Sequence, residues 1–286
     1  MKCLYTPISK VVFTIIVFMM MTSCSMKFMY NQLDYLIPYY VDGMVSLDDM
    51  LEEKVEQRSM MLINWHRHTQ LDQYAQWLRH LQRDANDQLT EEKLHGYIAT
   101  LENYWDSIAA RINEEMALLL PLLNRKQREE LFASLTERNK EFHEEYVAIN
   151  EHERLEQYTE RLVDGYETWL DDLTEEQKKV VELTATRMES TAELRLQRRQ
   201  LWQRSLEKIL VSNDDVSDRQ VALRDYFTEF NRRENSAMKT AGDKNKMILA
   251  SLTVQIVHSM TDEQKTHFQS STNEYIRMFE DLANKR

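Results

Sequence analysis

Between residues 94 and 119 the chain reads LHGYIATLENYWDSIAARINEEMALL, in which Leu94, Ile98, Leu101, Trp105, Ile108, Ile112, Met116 and Leu119 follow one another by three or four residues. That period lays one apolar stripe along a long helix and leaves the other faces polar. A second stripe runs through Leu131, Leu135, Phe142, Tyr146 and Ile149. Leu252 to Ile256 alternates like a strand, but Leu249, Leu252, Ile256 and Met260 keep the helical period, and an isolated strand would leave its backbone unpaired. The expected fold class is all-α.

Start signals recur along the same region. Thr174-Glu175-Glu176-Gln177, Ser217-Asp218-Arg219-Gln220 and Thr261-Asp262-Glu263-Gln264 each fit a capping box, in which a hydroxyl and the side chain three residues on cover orphan amides reciprocally. Asn124 with Gln127 is a relative, and Ser46 and Thr90, each followed by acids, add two more starts. Six starts imply about six helices, each about 45 to 65 Å long at a rise of 1.5 Å per residue, in an elongated bundle. Tyr74-Ala75-Gln76-Trp77-Leu78-Arg79-His80-Leu81 and Tyr166-Glu167-Thr168-Trp169-Leu170-Asp171-Asp172-Leu173 share Tyr-x-x-Trp-Leu-x-x-Leu, with a weak echo at Tyr275, Phe279 and Leu282. Three helical hairpins over 46–123, 124–212 and 213–286 would account for this, and chance likeness among capped amphipathic helices accounts for it equally well.

Composition agrees with helices. Four glycines and three prolines in 286 residues are too few for a sandwich, a barrel or a dinucleotide-binding fold, while 42% hydrophobic residues suffice for a core.

The N-terminus reads as an address. Lys2 and Lys10 precede an apolar run from Val11 to Met21, interrupted only by Thr14. A spanning helix needs about 20 such residues, so the run is a signal peptide's apolar region. It leads into Met21-Thr22-Ser23-Cys24, which resembles the lipobox of bacterial lipoproteins, with Met21 in place of the preferred leucine. By that resemblance residues 1–23 are removed, Cys24 carries the lipid, and Ser25, where aspartate would retain the protein in the inner membrane, sends it to the periplasmic face of the outer membrane. Losing Lys2 and Lys10 takes the net charge from -12 to -14, 34 basic residues against 48 acidic, which argues against nucleic acid as a partner. Cys3 lies in the removed part, so no disulfide is available.

Residues 24–45 form a separate anchor segment, with Phe28, Tyr30, Tyr35, Tyr39 and Tyr40 around Pro38 and a helix break expected at that proline. The rings could lie in the headgroup layer; packing on the helical body of 46–286 is the favoured reading. Tyr30-Asn31-Gln32-Leu33-Asp34, Tyr40-Val41-Asp42 and Trp65-His66-Arg67 with Leu71 and Tyr74 resemble a family of Gram-negative envelope lipoproteins of unknown function. Asp72 stands where that family suggests proline, so a less kinked helix is expected there. Leu173-Thr174-Glu175-Glu176-Gln177 also resembles the Leu-Thr-x-x-Gln element of small helical periplasmic chaperones and stress sensors.

Chemistry is sparse. A di-iron bundle needs two Glu-x-x-His elements, and only Glu92-Lys93-Leu94-His95 has that spacing; His143-Glu144-Glu145-Tyr146-Val147 lacks the second histidine of a zinc-protease motif. His66 and His68 face different sides of a helix, and no serine sits in a nucleophile elbow. No metal, cofactor or catalytic residue is assigned. Charge is uneven: residues 124–173 sum to -7 and 174–210 to +2. Arg195, Arg198 and Arg199, near Trp202, are the best candidates for an anionic partner, although a solvated face is the commoner use of such a cluster. The expected function is a non-catalytic, lipid-anchored outer-membrane lipoprotein that binds an envelope protein or maintains the envelope; a tethered chaperone or stress module is the alternative.

Overall fold

A computed structural model describes residues 23–86, 89–212, 214–232 and 236–285. Met21 and Thr22 of the lipobox, and the side chains of Ser23, Cys24 and Ser25, lie outside the described residues. The described residues are all-α, with no strand. The helices are α1 (Ser23–Tyr30), α2 (Leu33–Asp42), α3 (Asp49–Thr69), α4 (Leu71–Asp84), α5 (Glu91–Leu119), α6 (Arg125–Tyr146), α7 (Glu151–Leu170), α8 (Glu175–Ala185), α9 (Ala192–Leu210), α10 (Val216–Arg232), α11 (Ser236–His258) and α12 (Asp262–Ala283), with a 3-10 turn over Leu120–Leu122.

Twelve described helices replace the expected six because the long segments are interrupted without proline or glycine. Asn150 and Glu153 form a capping box that starts α7, and the chain turns again between Ala185 and Ala192. The segment expected to be less kinked near Asp72 breaks at Gln70, whose turn aims Leu71, Ala75 and Leu78 into the core. Pro38, the expected break, lies inside α2 and is buried. Proline there, sixth of ten residues, forfeits one intrahelical bond without ending the helix, and the chain turns instead at Asn31, whose side-chain amide donates to the Lys27 carbonyl at 2.8 Å.

Four expected caps form as read, at Thr90, Asn124, Thr174 and Thr261. Two do not. The α3 cap is Asp48 rather than Ser46, because the Asp48 carboxylate accepts from Leu51 N at 3.0 Å while Ser46 N–H is taken by Glu130 at 2.9 Å. At α10 the Asp215 carboxylate accepts from Asp218 N at 2.9 Å, displacing Ser217. Carboxylates in these positions also gain from the helix dipole.

Packing partners cross the expected hairpins. Between 124 and 212, α6 lies against α9 and α7 against α8, but α12 packs chiefly on α4, α7 and α1, while α11 packs on α5 and α8. The 213–286 segment is therefore not a self-paired hairpin. Every helix here offers a similar apolar stripe, so the partner is decided by fit rather than by adjacency. The Tyr-x-x-Trp-Leu segments of α4 and α7 meet around α12, where Trp169 lies 5.1 Å from the ring of Tyr275 and Tyr74 lies 5.7 Å from Phe279.

One backbone position is strained. Asp171, just past α7, has φ 64 and ψ -153, a region that glycine adopts freely and other residues rarely do. Asp171→Gly is expected to stabilise the protein by about 1 kcal/mol, read as a higher urea midpoint with unchanged slope; an unchanged or lower midpoint would contradict that reading.

Candidate functional site

Apolar residues that face one another across α2, α3, α5, the 3-10 turn and the start of α6 leave a cleft of about 290 Å³. Its walls include Val41, Met44, Leu51, Val55, Met116 and Leu119, and its only polar lining residues are Arg58, Ser59 and Glu115. Pro121 ends α5 in the 3-10 turn and Asn124 caps α6, so the floor of the cleft is set by a tight corner.

The polar residues collect at one end. Glu115 is buried and lies 3.4 Å from both the Arg58 and the Arg111 guanidinium. Beside it, Arg224 grips Glu114 through Nε and Nη2 at 2.7–3.0 Å. That grip holds the Glu114 carboxyl below the usual carboxylate range, and Arg111 and Arg58 add to the effect. Three arginines thus face two glutamates. The lining is apolar apart from Arg58, Ser59 and Glu115, so what the cleft offers chemically is apolar surface with a charged, arginine-bearing edge.

A second assembly fastens the N-terminal helix. Tyr30 and Tyr74 approach the two ring nitrogens of His66, Tyr30 Oη at 2.9 Å from Nδ1 and Tyr74 Oη at 3.3 Å from Nε2. Arg67 lies over the Tyr30 ring, Lys27 pairs with Asp281 at 2.7 Å, and Lys285 Nζ donates to Asn31 Oδ1 at 2.9 Å. The Tyr30-Asn31 and Trp65-His66-Arg67 elements, far apart in sequence, are therefore the two halves of one latch joining α1 to α3, α4 and α12. Burial pushes His66 below its ordinary value, and burial with Tyr104 and Tyr30 pushes Tyr74 up to about 12.

The sign of the resulting pH dependence follows. Unfolded His66 takes its proton near pH 6.5 and folded His66 only at lower pH, so the stability present above 6.5 is lost as pH falls through the window just below it. Melting is expected at a lower temperature at pH 5.5 than at pH 7.5, and His66→Gln should remove most of that difference; an equal difference in the variant would assign it to other groups.

Arg195, Arg198, Arg199 and Trp202 are placed against the protein's own rings. Arg195 and Arg199 lie over the Phe142 ring at 5.4 and 5.0 Å, and Arg198 covers Phe230 at 4.4 Å. Arg199 Nε donates to Asn139 at 3.0 Å, and Trp202 stacks near Phe227 at 6.3 Å. The four residues share α9, and their partners on α6 and α10 were not legible from the charge pattern.

The anchor segment departs from the favoured expectation. Phe28, Tyr35 and Tyr39 are 68%, 65% and 68% exposed, whereas Tyr30, Ile37 and Pro38 turn inward. A single helix cannot bury both faces against α3, and the tyrosines occupy the face left over, with Tyr35 stacked on Tyr39 at 6.1 Å. The stripe on α5 is likewise covered only at its ends, and Trp105 in its middle is 66% exposed.

Among the described residues no group of three or more histidine, cysteine, aspartate or glutamate side chains is arranged to hold a metal ion, and no helix is long and apolar enough to cross a membrane. Fold and sites together define an all-helical protein with an apolar cleft edged by arginine and an aromatic face beside its N-terminal helix. The chain belongs to a family of unknown function, DUF6279, whose pattern it matches over residues 40–235. No curated protein and no solved structure matches it.

Proposed function

We propose that this chain is a non-catalytic lipoprotein, anchored through Cys24 at the periplasmic face of the outer membrane, whose elongated helical body binds another envelope component. The observation that carries the reading is the aromatic face on α1 and α2: Phe28, Tyr35 and Tyr39 point outward within 15 residues of the lipobox cysteine. Amphipathic rings in that position suit the headgroup layer, where the hydroxyl stays wet and the ring leaves water. The latch at His66 ties this face to the body, so the anchor would orient the whole protein. Among the described residues the buried apolar side chains fall into separate clusters instead of one central core, in keeping with a body only a few helices thick.

Membrane fractionation tests this. The wild-type protein is expected with the outer membrane, and Ser25→Asp is expected to move most of it to the inner-membrane fraction. Unchanged fractionation of the variant would defeat the sorting part of the reading, and wild-type protein in the inner membrane would defeat its destination.

A tethered chaperone is the second reading, favoured by the exposed Leu101 and Trp105 on α5, which could hold an unfolded client. It would show as slower aggregation of such a client in the presence of the protein.

A further inference from the structure

We infer that the cleft between α2, α3 and α5 binds one free fatty acid, its hydrocarbon chain along the apolar walls and its carboxylate at Arg58 and Arg111. The volume of about 290 Å³ lies at the small end of ligand pockets, where one unbranched chain fits and a two-chain phospholipid does not. An extended peptide would bring backbone N–H and C=O groups against walls that can satisfy almost none of them, whereas an alkyl chain brings none. A helix, about 10 Å across with its side chains, is too wide for the space.

Charge selects the head. The lining itself holds one arginine and one glutamate, Arg58 and Glu115; with Arg111 on Glu115 and the Arg224–Glu114 pair beside them, both outside the lining, this end of the cleft carries one positive charge in excess, which an anion completes. Donors remain for it. The two contacts to Glu115 are 3.4 Å, longer than a saturated charge-assisted bond at about 2.7–2.9 Å, and Arg111 Nε is buried with no partner. Position supplies the ligand: Ile37 in the cleft wall is 13 residues past Cys24, at most about 20 Å along two helices with a turn between them, so an anchored protein would hold the cleft close to the bilayer. The site itself does not depend on anchoring, because residues 37–131 build it.

The test adds a photoactivatable analogue of lauric acid to isolated membranes that contain the full-length protein, followed by mapping of labelled peptides. Label is expected on α2, α3 and α5 peptides that line the cleft. Ser59→Phe, which fills it, should reduce that label at least tenfold, with Met44→Trp as a second filling variant should Ser59→Phe lose protease resistance. Arg58→Gln with Arg111→Gln should reduce it about tenfold, as loss of a hydrogen-bonded charge pair does. Cys24→Ser, compared with wild type as purified full-length protein in solution, should label at the cleft as the wild type does, so a failure of the anchoring reading leaves this result standing. Label that is scattered or confined to residues 26–40, label insensitive to both filling variants, or equal label from the matching uncharged alcohol would overturn the inference.

Discussion

Gln177→Ala is expected to destabilise the protein by about 3 kcal/mol, far more than an exposed glutamine ordinarily contributes. Read as sequence, Gln177 closes the capping box of α8 by accepting from Thr174 N, here at 2.9 Å. The structure adds a second capping box against it. Gln177 and Gln264 exchange amide hydrogen bonds at 3.0 and 2.8 Å, and both are buried. Each then reaches into the other's corner: Gln177 donates to the Ser259 carbonyl at 3.2 Å and Gln264 to the Asp172 carbonyl at 2.8 Å. Removing one side chain leaves the Thr174 N–H, the Ser259 carbonyl and part of the Gln264 amide without partners, at about 1–3 kcal/mol for each group that water cannot reach. The other glutamine should behave alike. Removing both should cost clearly less than the sum, because the second deletion removes the amide that the first one orphaned, and a coupling of about 1–3 kcal/mol is expected from the cycle. Urea unfolding of the two single variants and the double variant measures it. Strict additivity, or single losses under about 1 kcal/mol, would mean that water enters the corner and the pair is not a tie.

Cys24→Ser is expected to abolish incorporation of labelled palmitate and to leave an unprocessed precursor. Serine keeps the size of the side chain but not the thiolate that attacks the lipid donor, and lipidation precedes cleavage in the class that Met21-Thr22-Ser23-Cys24 resembles. The effect on anchoring should be near total. One acyl chain gives only marginal, reversible membrane binding and two or more give stable anchoring, so an all-or-none loss separates this cysteine from an incidental one. Palmitate that persists in the variant would remove the lipoprotein reading. The aromatic face would then need another partner, while the fatty-acid cleft would be untouched.

What could be read along the chain follows the range of each interaction. Thr90, Asn124, Thr174 and Thr261 are caps because both partners of the bond lie within four residues of each other. Even at that range competition decided two starts, since Asp48 and Asp215 offered charged acceptors beside Ser46 and Ser217. The Leu-Thr-x-x-Gln motif was legible as a helix start, but nothing in it indicates that its glutamine amide would meet that of a second capping box, Thr261 to Gln264, 87 residues away. The Tyr30-Asn31 and Trp65-His66-Arg67 elements stood out by resemblance, and only the fold gives their reason, a half-buried imidazole held between two phenols.

Helical class, four of the helix starts and the lipobox resemblance are properties of the sequence by itself, because they rest on a 3.6-residue period, on caps spanning three residues and on one short apolar run. Which stripe covers which was decided only in three dimensions. The helices carry interchangeable apolar faces, and small differences in shape sent α12 to α4 and α7 and left Trp105, Tyr35 and Tyr39 in the open. The same choice turned Arg195 and Arg199 onto Phe142 and drew apolar residues from five elements around a cleft with arginine at its rim. A periodic pattern specifies that a face will be buried; the identity of the partner depends on contacts between residues tens to hundreds of positions apart, which no local pattern encodes.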